Sequence, residues 1–144
     1  MIYHLVLLKI KPTSSSEELL NLSTALESLI SIKGVLSVNI EPANKSVYAG
    51  YDDRTKGYTH ALLVILSDKK ALEVYDKDPT HLLVKSSVIK PLLDTTVSDP
   101  VLAVDWEGAA PDLPKGFFCN NATYFAAAAA VLSLVGIVAL RSRL

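Results

Sequence analysis

His4, His60 and His81 are the side chains of this 144-residue sequence best suited to proton transfer near neutral pH. His81 has the most specific setting, because Asp78 and Pro79 are typical of the N-cap and first position of a helix. His81 then falls in the first helical turn, where the positive end of the helix dipole disfavours an imidazolium. We therefore expect a neutral ring that can act as a general base. The alternative is an ordinary exposed histidine at the start of a helix.

Tyr75 lies just upstream of His81 and could orient its ring or bond a substrate oxygen. His4 and His60 each lie in an apolar run typical of a strand. If these two strands are neighbours in one sheet, the two imidazoles can approach each other and line a pocket with a few convergent polar groups. The alternative is that both are hydrogen-bonded core histidines, because buried polar groups are normally satisfied.

Other kinds of site find little support in the sequence. Three scattered histidines without nearby paired carboxylates argue against a zinc site, and there is no glycine-rich phosphate loop. The net charge is −1 with both signs interspersed, which gives no basic footprint for nucleic acid. A single cysteine, Cys119, excludes an internal disulfide framework. We expect no metal and no cofactor.

The periodicity of apolar residues predicts the elements that must position these side chains. Ser15 and Glu18 form a capping-box signature before a helix that Gly34 ends. The predicted order is β-α-β-β-α-β, with strands over residues 2–10, 35–40, 58–66 and 100–107, and further helical segments over 69–75 and 79–91. This is the split βαβ arrangement of a ferredoxin-like α+β fold. The strands are apolar on both faces while helices cover only one, so we expect a homodimer through the sheet face.

Five short segments, in this order and spacing, resemble the stress-responsive α/β-barrel family, a dimeric group that includes a plant polyketide cyclase. They are residues 4–9 (HLVLLK), 33–38 (KGVLSV), 56–60 (KGYTH), 75–81 (YDKDPTH) and 105–106 (DW). The resemblance covers residues 2–107 and implies a dimeric α+β barrel. The family prefers proline where Lys33 stands and often has histidine where Asp78 stands.

The resemblance also implies roles for four residues. The family's cyclase uses the histidine matching His81 as base, assisted by the tyrosine matching Tyr75, while histidines matching His4 and His60 line the same cavity. These positions imply a barrel that binds a hydrophobic small molecule and acts as a polyketide-cyclase-like lyase. The alternative is a non-enzymatic stress-response barrel protein. By analogy with other dimeric α+β barrels, haem held by a single histidine stays open, although no residue demands it.

The C-terminal part of the sequence has a different character. Residues 122–140 carry no charge and would rise about 28 Å as a helix, close to the thickness of a bilayer core. We expect domain 1–107, linker 108–121, transmembrane helix 122–140 and basic tail 141–144. A buried or dimer-forming helix is the alternative. Without an N-terminal signal segment we expect a tail anchor with the domain facing the cytosol, and the terminal Ser-Arg-Leu resembles a peroxisomal address.

Overall fold

Residues 1–109 are described by a computed structural model of the chain. The predicted transmembrane helix (122–140), the basic tail (141–144) and most of the predicted linker (108–121) lie outside the described residues. Within residues 1–109, no helix combines the length and apolar character needed to cross a membrane.

The sheet has four antiparallel strands in the order β2-β3-β1-β4. They are β1 (Ile2–Leu8), β2 (Val35–Pro42), β3 (His60–Leu66) and β4 (Val101–Glu107). This order is the split βαβ arrangement, so the predicted ferredoxin-like α+β fold is confirmed for the described residues. β1 and β3 are neighbours, as expected, and β4 forms an edge beside β1.

Helix α1 (Ser16–Glu27) begins at the predicted capping box. The Ser15 hydroxyl accepts from the Glu18 backbone N–H at 3.2 Å, and the Glu18 carboxylate accepts from the Ser15 backbone N–H at 2.7 Å. A 3₁₀ turn (Ser28–Ser31) continues the helix towards Gly34, whose φ of +90° is a conformation that favours glycine. The apolar face of α1 and this turn places Leu22, Leu26 and Leu29 in the core.

The second helical region is continuous from Lys69 to Leu92 apart from one break at Asp78. It comprises α2 (Lys69–Lys77), α3 (Pro79–Val84), a π-helical turn (Lys85–Ile89) and α4 (Lys90–Leu92). The Asp68 carboxylate caps α2 by accepting from the Ala71 backbone N–H at 2.8 Å, and that of Asp78 caps α3 by accepting from Thr80 at 2.8 Å. The predicted effect of Pro91 is confirmed, because the helix ends one residue later.

The two faces of the sheet are in different environments. The helix-covered face contributes Leu8, Val64 and Leu66 to the core, all fully buried. The opposite face, which we call the open face, carries large apolar side chains on the edge strand. Its exposed members are Leu102, Val104 and Trp106, with 44%, 46% and 43% of their surface accessible. Trp106 stacks on Tyr3 of the neighbouring strand, with ring centroids 5.1 Å apart. No helix in residues 1–109 covers this face.

Strand β2 contains a β-bulge between Val35 and Ser37. Val35 pairs with Leu66 and Val38 pairs with Val64, so Leu36 is the extra residue. In a regular strand residues three apart point to opposite faces, but the bulge lets Val35 and Val38 both face the helices. Val38 and Ile40 pack against the core cluster as a result.

Candidate active site

A cavity of about 640 Å³ lies between the helix-covered face and the second helical region. Its wall is mainly apolar, and that part is contributed by Val6, Leu8, Leu62, Leu72, Ile89, Leu93, Val101 and Ala103. The β4 residues on the wall are exposed, so the cavity opens past the edge strand. A volume of this size suits a small-molecule ligand.

His81 lies on the cavity wall and is itself buried, with 8% of its surface accessible. The predicted position is confirmed, because Asp78 caps the helix and Pro79 is its first residue. The Nδ1 atom of His81 is buried without a hydrogen-bond partner in residues 1–109. Burial is the largest cause that lowers the pKa of His81, the charge of Lys85 acts in the same direction, and the Asp76 backbone carbonyl opposes it. Burial is therefore the main cause that favours the neutral ring.

Tyr75 joins His81 to His4 in one aromatic cluster. Its ring is stacked on His81, with centroids 4.2 Å apart, and meets His4 edge-on, with centroids 5.8 Å apart. Tyr75 is 1% exposed, and burial raises its pKa to about 12. The phenol therefore keeps its proton at cellular pH and can donate a hydrogen bond.

His4 is oriented by a carboxylate on the neighbouring strand. The two residues are register partners across β1 and β4, and His4 Nδ1 lies 2.6 Å from Asp105 Oδ1. A carboxylate can only accept, so the proton of this contact lies on Nδ1, and the other ring nitrogen of His4 is left for contact with a ligand. Both residues line the cavity. A carboxylate-oriented imidazole and a neutral buried imidazole therefore share one wall.

The expectation that His4 and His60 approach each other is wrong. His4 pairs with Val64, whereas His60 pairs with Leu8, so the two lie four positions apart along the same pair of strands. That separation corresponds to about 13 Å. His60 is not on the cavity wall, and its Nδ1 lies 2.9 Å from the Thr59 hydroxyl. Burial lowers its pKa. His60 is therefore a half-buried, hydrogen-bonded histidine outside the cavity, closer to the alternative that the sequence left open than to a ligand-binding residue.

Within the described residues, no three His, Cys, Asp or Glu side chains lie close enough to hold a metal ion. The cluster of His81, Tyr75, His4 and Asp105 on the cavity wall is suited to proton transfer, since it combines two imidazoles, a protonated phenol and a carboxylate.

Comparison with protein families agrees with this geometry. The family model for the stress responsive A/B barrel domain matches residues 2–107. The chain belongs to the stress-responsive A/B barrel family.

Solved structures with the same fold include members of this family and other dimeric proteins. A protein of Arabidopsis thaliana is 21% identical, with a TM-score of 0.62 over 78% of this chain and 100% of its own. A dimeric ferredoxin-like protein of unknown function from Jannaschia sp. is 22% identical, with a TM-score of 0.59 over 74% of this chain and 98% of its own. A hydroxynitrile lyase from Passiflora edulis is 14% identical, with a TM-score of 0.61 over 78% of this chain and 96% of its own. At these identities the similarity establishes the fold. Among curated proteins, no sequence matches this chain.

The cavity-wall residues of this A/B barrel protein that sequence reasoning missed include Asp105, Lys85 and Lys90. Asp105 could have been found by aligning the predicted first and last strands antiparallel with His4 opposite an acidic residue. The two lysines gave no such signal, because their common orientation depends on a π-helical turn.

Proposed function

We propose that this A/B barrel protein is a membrane-tethered homodimer that binds a hydrophobic small molecule in the cavity of each subunit. We further propose that it abstracts a proton from a carbon next to a carbonyl group, as a polyketide-cyclase-like lyase would. His81 is the base, Tyr75 assists by donating a hydrogen bond to the substrate oxygen, and His4 contributes to binding. His60 has no role in this proposal.

The observation that carries the proposal is the neutral, buried imidazole of His81 on the wall of a mainly apolar cavity. Buried polar atoms are normally hydrogen-bonded, so the Nδ1 atom of His81, which has no partner in residues 1–109, supports a role for this ring in ligand binding. Burial and the charge of Lys85 lower the pKa of His81, which favours the neutral ring that can accept a proton. The phenol of Tyr75 beside it is protonated and can stabilise a developing enolate oxygen.

The apolar wall determines the class of ligand. Val6, Leu8 and Leu62 offer no hydrogen bonds, so the body of the ligand is apolar and its carbonyl group meets the cluster of His81, Tyr75 and His4. Exclusion of water by these side chains strengthens the hydrogen bonds that Tyr75 and His4 make to the ligand. The hydroxynitrile lyase of Passiflora edulis shares the fold, which supports lyase chemistry as compatible with it.

Hydrogen–deuterium exchange tests the reaction class without knowledge of the natural substrate. The full chain, in lipid nanodiscs, is incubated in D₂O with a long-chain methyl ketone, and loss of the proton signals next to the carbonyl is followed by NMR. We expect exchange above the rate with empty nanodiscs. His81→Gln should lower the protein-dependent rate by about a hundredfold or more.

His60→Gln is the matched control, because it removes a half-buried histidine of the same sheet face that does not line the cavity. It should leave the exchange rate within about twofold of the wild type. Exchange at the background rate, or equal rates in the two variants, would remove the support for His81 as a base.

The homodimer is supported by the open face. A surface with adjacent exposed Leu102, Val104 and Trp106 is typical of an interface rather than of a solvated sheet. Several structural relatives are described as dimeric. Val104→Asp should convert the dimer to a monomer in analytical ultracentrifugation. Leu20→Asp, at an apolar residue of α1 that is 68% exposed, should leave the dimer intact.

The membrane tether rests on the uncharged sequence 122–140, which is long enough to cross a bilayer as a helix, and the proposed orientation has the domain facing the cytosol. Carbonate extraction of membranes should retain the full chain and release a chain that lacks residues 122–144. Protease added to intact organelles should digest the domain, and imaging of the full chain would show whether the Ser-Arg-Leu terminus directs it to peroxisomes.

The second candidate is a non-enzymatic stress-response barrel, in which the domain serves assembly and stability. The exposed apolar residues of the open face favour it, because they explain dimerisation without any use of the cavity. A stable dimer that neither binds ketones nor exchanges their protons would select this candidate.

A further inference from the structure

Several charged groups on the cavity wall are bound by a neighbouring side chain. Asp105 lies 2.6 Å from His4 Nδ1, and Lys69 lies 3.0 Å from Glu107. Glu73 is bound by Lys70 at 2.9 Å and by Lys77 at 2.8 Å. The charges that remain belong to Lys85, Lys90 and Asp76, which take part in no ion pair within residues 1–109.

Lys85 and Lys90 are brought to the same side of their helix by the π-helical turn. The Lys90 backbone N–H donates to the Lys85 carbonyl, which closes a turn of five residues. In an α-helix, residues five apart would be rotated by about 140° from each other. The wider turn reduces this rotation, so both lysines reach the cavity wall, with Ile89 between them. Pro91 follows directly and has no N–H for the α-helical bond.

Each of the two lysine side chains has an apolar part and a charged part. Both are exposed, so their ammonium groups stay hydrated at the mouth while their aliphatic stems continue the apolar wall. Lys85 lies close enough to His81 for its charge to contribute to the lowered pKa of the imidazole. An anionic group held at Lys85 would therefore place the adjacent carbon atoms of the ligand beside His81.

We infer that Lys85 and Lys90 bind the carboxylate of an acyl ligand whose chain lies along the apolar wall. This inference rests on the proposed function, because it names the class of the same ligand. The same wall carries the carboxylates of Asp76 and Asp105, which offset the two lysine charges, so the wall suits a monoanion better than a group of higher negative charge. A phosphate monoester, with a charge of about −1.5 to −2, would be matched less well.

Calorimetric titration of the full chain in lipid nanodiscs tests the inference with two matched ligands, decanoate and decan-1-ol. Heats with empty nanodiscs are subtracted. At low ionic strength decanoate should bind about tenfold more tightly than the alcohol, because two charge-assisted contacts form at partly solvated groups. Added salt should reduce this ratio, since exposed charges are screened.

The double variant Lys85→Gln/Lys90→Gln should bring the ratio close to one, and Lys85→Glu/Lys90→Glu should make the alcohol the tighter ligand. Lys33→Gln, an exposed lysine away from the cavity, should leave the ratio unchanged and controls for the loss of overall charge.

The outcomes separate this inference from the proposed function. Equal affinities in the wild type, or an unchanged ratio in the double variant, would overturn the inference while the cavity remains a ligand site. Tighter binding of decyl phosphate than of decanoate would overturn the assignment to a carboxylate. Binding of neither decanoate nor decanol to the wild type would overturn both proposals.

Discussion

The imidazole of His81 is stacked on the phenol ring of Tyr75, with centroids 4.2 Å apart and planes inclined by 26°. The same phenol meets His4 edge-on, so one buried ring holds two imidazoles in place. Because Tyr75 comes from α2 and His81 from α3, their relative position depends on the short break at Asp78. The cap at Asp78 therefore contributes to the geometry of the cavity as well as to the start of a helix.

Tyr75→Phe should separate the contribution of the stacked ring from that of the hydroxyl group. The phenylalanine keeps the stack but lacks the hydroxyl, so ketone exchange should fall by about tenfold to a hundredfold while ligand affinity changes little. Stability should change by less than about 1.5 kcal/mol. Tyr58→Phe is the matched control, because Tyr58 is also buried but donates to the Asp99 carbonyl, away from the cavity. Equal exchange rates in the two variants would contradict a role for the Tyr75 hydroxyl.

Stability should fall as the pH decreases below the ordinary histidine pKa of 6.5. Burial lowers the pKa of His60 and His81 in the folded chain. Above pH 6.5 the two histidines are neutral in both the folded and the unfolded chain, so the folded chain has its full stability. Below it the unfolded chain binds protons first, so the free energy of unfolding falls until the folded pKa values are reached, by at most about 1.4 kcal/mol per pH unit for each histidine.

Urea titrations followed by the fluorescence of Trp106, the single tryptophan, would measure this dependence. His60→Gln/His81→Gln should flatten the curve between about pH 5 and pH 6.5. Carboxylates with a lowered pKa act at lower pH. That of Glu73, which Lys77 and Lys70 lower from 4.5 to about 2, makes its full contribution above pH 4.5 and loses it as the pH falls towards 2. An equally steep curve in the double variant would show that other groups cause the loss.

The contact between His4 and Asp105 should appear as a coupling in a double-mutant cycle of His4→Gln and Asp105→Asn. Asp105 is about half exposed, so we expect a coupling of about 0.5–1 kcal/mol in stability. The effects on ketone exchange should be clearly non-additive, because either change alone removes the orientation of the His4 ring. The pair Lys69 and Glu107, with both side chains largely exposed, is the comparison and should show a coupling near zero.

Gly34→Ala should be strongly destabilising. Its φ is +90°, and an added Cβ would overlap the Cβ of Ala71 at the start of α2. Strain and overlap together should lower the free energy of unfolding by about 2–4 kcal/mol. Gly50→Ala separates the two causes, because Gly50 has φ +82° but nothing within 4 Å of the new Cβ. It should cost only about 1–2 kcal/mol. Equal losses in both variants would exclude the overlap with Ala71 as a cause.

Local features of the fold could be predicted because each depends on a few adjacent residues. Ser15, Asp68 and Asp78 cap helices as expected, since a short polar side chain can reach the free N–H groups of the first turn. The order of strands followed from the order of the elements and the preference for a split βαβ arrangement. Helix and strand ends shifted by a few residues, as with β1, which ends at Leu8 rather than at Ile10.

The site was harder to predict because it depends on register and on irregular turns. The distance between His60 and His4 is determined by the register of β1 and β3. The apolar pattern of the two strands would be the same in a register that placed the two histidines side by side, so the pattern alone does not predict their distance. Asp105 became a partner of His4 only through the register of β4. The neutral state of His81 was predicted, but its main cause is burial, which a sequence pattern around one helix start does not reveal.

Because of the bulge at Leu36, the beginning of β2 tolerates the loss of a residue better than the rest of the strand does. Deletion of Leu36 would join Val35 to Ser37 as a regular strand in which Val35, Val38 and Ile40 still face the helices. Deletion of Asn39 would instead turn Val35 and Val38 away from the side that Ile40 occupies. Relatives of this chain should therefore gain or lose a residue at the beginning of β2 and keep a constant length from Val38 onward.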